Sequence, residues 1–488
     1  MTPFVDLELP PGRVLEWAIR PSSKLDPSIR AIEATKRPSF TQELYYHQID
    51  WLSRLHEGRL SVWIGVTFEI EGKADLEALR AAFRQLLIRH ETLRAEFRME
   101  PDRDGTGMLF GRLQCDILAP SALQLDETEL GTYDDVDEMH QAIIRRVDGG
   151  LNTVEGPVLL MGAVIGEEKS VAYIICDHLV TDGFSCAIKA NELATLYESA
   201  LAGSGAKLAP VGSYLDFGAR EYDDGWTVTP DDPRVEMWRG FVKRNGHVFT
   251  EFPADLHAKR GEWHPAMVDQ IQVLTPAEAE AFEKLCKERG ASLVAGILAC
   301  NGIALHELSG IDVYRTVMPV ATRREAPWQY AVGWLVGIAP LEVPVAGPDK
   351  FNEVLAGAYA AFRAGLTTSD LPIASLFTHL GTQYLPLRGL FDLLPQGHFS
   401  YIDYRKLPGA INADRWKQST ALRATNTSDA RTWFYRTPEG IFMFTNFIDT
   451  PRAREVHAQY QVEMRRALAT ALVSLENSDA EDDLENVA

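Results

Sequence analysis

The chain has 488 residues, too many for one compact core and enough for two lobes of ordinary size. At 46% hydrophobic and 24% charged it has a globular composition. A formal net charge of −21 argues against a nucleic-acid binder, which shows a basic face, and against docking on anionic lipid.

In chain order, the opening Met1 to Asp6 has no basic start followed by an apolar run and reads as carrying no secretory leader. Val62, Ile64, Val66, Phe68 and Ile70 alternate with other residues, the period of a half-buried strand. After the turn at Gly72-Lys73, Leu76, Leu79, Phe83, Leu86 and Leu87 form one helical stripe that runs into Arg89-His90-Glu91-Thr92-Leu93-Arg94. Val158 to Ile165 reads as a buried strand, and Val171 to Cys176 as a second one ending directly on Asp177-His178. A helix is predicted from Phe184 to about Ala202. The small, glycine-rich 202–206 stretch that follows marks a lobe boundary, giving lobes at 1–205 and 206–475.

In the second lobe, Thr275-Pro276 supplies a cap and first-turn proline for a helix over 277–289. Ala291 to Leu308 is a second, largely apolar helix. Val313 to Pro319, Trp334 to Val343, Phe399 to Asp403 and Ile441 to Phe447 read as strands. The irregular mixture of strands and helices favours an α+β fold over a doubly wound sheet. The end, 476–488, is acidic without a basic residue and is predicted to be a disordered tail. The five cysteines include no CxxC pair, so neither a metal site nor a disulfide framework is expected, and a cytoplasmic setting fits.

The chemistry concentrates at His178-Leu179-Val180-Thr181-Asp182-Gly183. A lone histidine is more often structural than catalytic. This one stands where a buried strand ends, a rigid place to hold a base. The glycine five positions on allows a tight turn and close approach of a substrate.

Asp177-His178-Leu179-Val180-Thr181-Asp182-Gly183 resembles the HHxxxDG signature of the superfamily of chloramphenicol acetyltransferase and peptide-synthetase condensation domains. Arg89 to Arg94 is similar to its RHExLR motif, Ser213 to Phe217 to YxDF, and Val332-Gly333-Trp334-Leu335-Val336 to the start of VGxFVN. The order is the family's, and the resemblance spans roughly 38–453. Within it, 213–221, 249–253 and 296–310 resemble the mycobacterial PapA-type polyketide-associated acyltransferases, which acylate trehalose and other glycolipid or polyketide hydroxyls. Two departures stand out: Gly337 occupies the asparagine position of VGxFVN, and Asp177 replaces the first histidine.

The resemblance implies two chloramphenicol-acetyltransferase-like lobes forming a V-shaped cleft with a central tunnel. His178 would sit midway along it, passing an acyl group from a thioester to a hydroxyl or amine. No bound cofactor is implied. The donor would be acyl-CoA or a phosphopantetheinyl carrier protein, and the acceptor a small molecule. Asp177, Asp182 and Gly183 then read as supports of the active loop, with Arg323 the expected partner of Asp182 and Arg324 the alternative. Trp334, Ser400, Tyr401 and Trp433 are candidates for the tunnel wall or simply for core. Cys186 is a rival nucleophile, though nothing basic adjoins it in sequence. His178 as base and His178 as positioner both stay open, as do a free-standing condensation enzyme and a silent carrier-docking domain.

Overall fold

The computed structural model describes residues 7–55, 62–100, 112–246, 250–259, 262–347, 350–384, 398–424 and 426–485. The first six residues, Phe249 and the last three therefore lie outside the described residues.

The N-terminal half builds a six-stranded sheet in the order Ser419–Ala424, Val62–Glu71, Lys169–Asp177, Leu159–Ile165, Gly12–Ile19, Leu125–Tyr133. Every neighbouring pair is antiparallel. Both faces are covered. Ile64, Val66, Phe68, Ala172, Ile174 and Cys176 pack with the helices Leu76–Arg89 and Gly183–Leu201. Their alternates Trp63, Val171, Tyr173 and Ile175 pack with Met139, Ile143 and Val147 of the helix Val136–Gly150. Double coverage explains why Val171 to Cys176 reads as a continuous apolar run instead of alternating.

The edge strand Ser419–Ala424 comes from the far end of the sequence. It pairs with Val62–Glu71 and buries Ala421 in the N-terminal core. One strand of the first sheet thus lies more than two hundred residues further along the chain than the other five, so the halves are laced together.

The second half carries a five-stranded sheet, Phe399–Asp403, Arg431–Thr437, Gly440–Ile448, His264–Leu274, Asn426–Thr427. The first pair is parallel and the others antiparallel. The helices Pro276–Glu288, Leu293–Ser309 and Pro451–Glu485 cover one face. Thr275 caps its helix, with Glu278 closing a reciprocal capping box, and Gly310 ends the apolar helix in the left-handed region at φ 72°. An antiparallel pair, Val313–Ala321 with Val336–Pro344, lies beside them. The predicted strand from Trp334 begins only at Val336, because Gly333 to Leu335 are used as a loop at the site described below.

The final helix runs from Pro451 through Glu485, into the acidic stretch that the sequence reads as a tail. There it continues a helix already nucleated by packing, and propagation is easier than nucleation. No single described helix is long and apolar enough to cross a membrane.

Candidate active site

His178 stands at the end of the central strand Lys169–Asp177, where the chain enters a single turn of 3-10 helix, His178–Val180. Asp177 caps that turn. One carboxylate oxygen accepts the Leu179 N–H at 2.8 Å and the other accepts the Thr153 hydroxyl at 2.7 Å. Burial pushes the Asp177 carboxyl up to about 7, against the pull of those two donors. The residue standing in for the family's first histidine thus bonds both to the turn it caps and to Thr153. The Gln42 side chain adds a donor to the Leu179 carbonyl at 3.0 Å.

Around the imidazole the walls are aromatic. The Trp334 ring centroid lies 4.0 Å from that of His178, and Tyr45 packs on both, at 6.2 Å from His178 and 5.3 Å from Trp334. Nδ1 is buried without a hydrogen-bond partner among the described residues. Burial pushes the imidazole down to about 4; its own carbonyl and Asp182 offset part of this, and the charges of Arg431 and Lys189 add to it. At neutral pH the ring is uncharged.

Asp182 holds the other end of the loop. It is the N-cap of the helix Gly183–Leu201, accepting the Ser185 N–H at 2.7 Å. Arg323 grips it with two parallel bonds, 2.9 Å to Oδ2 and 3.0 Å to Oδ1, and the Leu335 N–H donates to Oδ2 at 3.0 Å. All four acceptor sites of the carboxylate are thereby used. Both side chains are 3% exposed. Burial alone would raise the Asp182 pKa, but the guanidinium holds it below the usual carboxylate range. Arg324, the alternative partner, turns instead to the Ser369 hydroxyl at 2.6 Å.

The other motifs converge on the same loop. The Ser185 hydroxyl donates to the Gly333 carbonyl at 2.9 Å, and the Gly333 N–H donates back to it at 3.1 Å. A side chain at Gly333 would strike the Tyr214 ring at 2.2 Å. The Tyr214 hydroxyl donates to the Trp334 carbonyl at 3.2 Å. Glu91 accepts from Ser213, the cap of the helix Tyr214–Thr227, at 2.7 Å. Arg89 and His90 both reach Glu192 on the active-loop helix at 2.8 Å. Gly183 needs no unusual backbone angle; an added carbon would lie 3.0 Å from the Ile402 Cδ1 on the opposite lobe, a tight contact with the flexible end of that side chain.

Sequence reasoning missed four nearby residues. Tyr45 comes from the helix Phe40–Leu55. Ser185 follows Asp182 by one turn, a spacing that could have flagged it. Lys189 is fully buried under the loop and donates to the Thr181 hydroxyl at 2.9 Å and to Cys176 Sγ at 3.2 Å. Arg431 opens a strand of the other lobe.

Of the remaining candidates, Trp433 and Ser400 lie on the sheet face turned to the first lobe, in direct register with each other. Tyr401 does not. Strand alternation sends it to the opposite face, against the C-terminal core, which corrects its expected place in the tunnel. Cys186 is buried, contacts the Asp182 carbonyl at 3.3 Å, and has its thiol pushed up to about 11 by burial. It is an inert packing residue. At Gly337 a side chain would meet the Ser369 carbonyl at 2.1 Å, so the family's asparagine has no room here. Among the described residues no cluster of three metal-ligating side chains occurs.

The condensation domain family matches residues 43–394. The acyltransferase PapA3 of Mycobacterium tuberculosis is 26% identical over 406 residues, 81% of this chain and 80% of that protein. From the same organism, the 2'-acyl-2-O-sulfo-trehalose (hydroxy)phthioceranyltransferase PapA1 is 27% identical over 370 residues, 75% and 69%. Among solved structures, a PapA2 acyl transferase aligns with a TM-score of 0.81 at 20% identity, covering 96% of this chain and 99% of that one. The first condensation domain of the calcium-dependent antibiotic synthetase aligns at 0.66 and 18% identity, covering 90% and 97%.

Two substitutions test the site. Asp182→Ala and Arg323→Ala are each expected to destabilise by roughly 3–5 kcal/mol, because each leaves a buried charge unpaired. In a double-mutant cycle by chemical denaturation the pair should cost clearly less than the sum; additivity would show that the two do not interact. Gly337→Asn, which recreates the family motif, is expected to lower stability by about 1–3 kcal/mol through overpacking rather than to improve activity. Thermal unfolding beside turnover measures both effects.

Proposed function

The chain belongs to the condensation domain family and is an acyltransferase, and we propose that it makes an ester from an acyl thioester and a hydroxyl, with His178 as the base. The observation that carries this reading is the state of His178: neutral, and fixed at a strand end by a loop clamped at Asp177 and Asp182.

With the proton on Nδ1, Nε2 offers a lone pair to the acceptor O–H. As the hydroxyl oxygen bonds to the thioester carbon, Nε2 takes its proton. The tetrahedral intermediate then expels the thiolate, and the imidazolium returns the proton to sulfur. No covalent enzyme intermediate is needed, and the buried, high-pKa Cys186 offers none. Holding both substrates at one imidazole supplies much of the rate, since well-placed partners reach effective molarities of about 10⁵ M or more. The silent docking reading is disfavoured by the hydrogen bonds spent on clamping the loop that carries the histidine.

The donor is acyl-CoA or a phosphopantetheinyl carrier protein, which share the thioester arm, and the setting is cytoplasmic. PapA1 and PapA2 are named for sulfated trehalose substrates; by that likeness the acceptor here is a sugar or related polyol hydroxyl.

His178→Ala is expected to fold normally and lose about 10²- to 10⁴-fold in kcat; a loss under roughly tenfold would assign the residue to positioning. The sign of the pKa shift fixes the pH profile. A base must be unprotonated, and this one is held below its usual value, so kcat/KM should stay level from pH 8 through pH 6. It should then fall toward pH 4. Asp177→Asn separates the neighbouring carboxyl: a step near pH 7 that vanishes in this variant belongs to Asp177, and the acid limb should remain. Finally, Cys186→Ala should keep its activity, initial rates over both substrates should intersect, and intact mass after donor alone should show no adduct. Parallel double-reciprocal lines with an acylated cysteine would overturn direct transfer.

A further inference from the structure

The C-terminal sheet has two unlike faces. Phe434, Met443 and Phe447 point into the helix-covered core. The alternate residues point to the first lobe, where Ile402, Trp433, Tyr435, Phe442, Phe444 and Val268 join the cluster that holds Tyr45 and Trp334. Register sets them in rows: Trp433 opposite Phe444, Tyr435 opposite Phe442, and, one row further on, Arg431 opposite Asn446. Asn446 therefore stands on the apolar wall facing the active loop. Its row neighbour Arg431 is close enough for its charge to act on both His178 and Tyr45.

Asn446 is 1% exposed, and neither its amide nitrogen nor its amide oxygen has a hydrogen-bond partner among the described residues. Buried amides are nearly always satisfied, so two orphaned atoms on one side chain need an explanation. Packing does not supply one: a leucine would fill the same place without unpaired groups. A ligand does. Binding walls are mostly apolar with a few placed polar groups, and an amide offers one donor edge and one acceptor edge whichever way it is turned. That pair matches two neighbouring hydroxyls, one accepting from nitrogen and one donating to oxygen. Flanking aromatic faces suit the C–H surface of a sugar ring.

We propose that Asn446, with Arg431 beside it, is the positioning residue that reads a vicinal diol of the acceptor and so presents one hydroxyl to His178. This rests on the hydroxyl-acceptor reading above.

The test uses the full chain with one acyl-CoA donor and two acceptors, trehalose, which carries vicinal hydroxyls, and 1-octanol, which has none. The quantity read is the ratio of kcat/KM for the two. Asn446→Ala is expected to lower that ratio at least tenfold, through the KM for trehalose, with the donor KM unmoved. Asn446→Asp, which keeps only acceptor edges, should fall in between. The melting temperature of Asn446→Ala should match or exceed wild type, since no partner is left behind. An unchanged ratio, a loss confined to the donor KM, or an equal loss on both alcohols with a lower melting temperature would each overturn the assignment. If the wild-type enzyme esterifies neither alcohol, the hydroxyl-acceptor reading itself fails, and this inference with it.

Discussion

The bidentate pair between Asp182 and Arg323 is the interaction on which the site depends. A buried ion pair is rarely a bargain in stability alone, because removing two charges from water costs about what their attraction returns. Here the carboxylate does several jobs at once. It caps the helix that follows the loop, receives the backbone N–H of Leu335, and binds an arginine that also donates to Ser185 at 2.7 Å. One side chain thus ties the end of the catalytic loop, the start of the helix beneath it and a loop of the second lobe to a common point. The histidine four residues earlier inherits that rigidity without touching the pair.

Seen from this point, the separate sequence motifs are one structure. The Gly333–Leu335 segment bonds to Asp182 and Ser185, Tyr214 supports its Trp334 carbonyl, and Glu91 holds the cap of the helix on which Tyr214 stands. Motifs dispersed over some 250 residues are neighbours because each supplies a hydrogen bond that the next one needs. Their order in the chain is incidental; their mutual satisfaction is not.

Much of this was legible in the sequence, and the failures have a common cause. The loop could be read because its strand is a continuous apolar run and its residues are contiguous. Arg323 could be named, with Arg324 as the alternative, because an aspartate that holds a loop calls for an arginine partner. What could not be read depends on which face of a strand a residue occupies. The strand Phe399–Asp403 was placed correctly, yet Ser400 and Tyr401 go to opposite sides, and a shift of one residue exchanges them. Arg431 and Asn446 were invisible for the same reason, since their meeting is a matter of register between two strands. The returning strand Ser419–Ala424 is short and finds its place only through the partner edge at Val62–Glu71. At the acidic end charge argues for disorder while continuation of a packed helix favours helix, and the helix Pro451–Glu485 runs into it.

On the proposal that His178 is the base, its depressed pKa poses a last question, since a base that resists protonation is intrinsically a weak one. The resolution lies in when the charges arise. In the free enzyme a proton on His178 would be a lone cation in a buried aromatic setting, with Arg431 and Lys189 adding to its cost. In the transition state the imidazolium forms together with negative charge on the thioester oxygen. Opposite charges a few ångströms apart attract strongly where water is scarce. The burial that depresses the isolated pKa thus weighs less on the reacting pair, and Arg431, unfavourable to the cation, favours the oxyanion. At neutral pH the same burial keeps the ring wholly in its unprotonated form. A cleft that repels a stray proton but welcomes a separated pair of charges discriminates between resting enzyme and transition state, which is what acceleration requires.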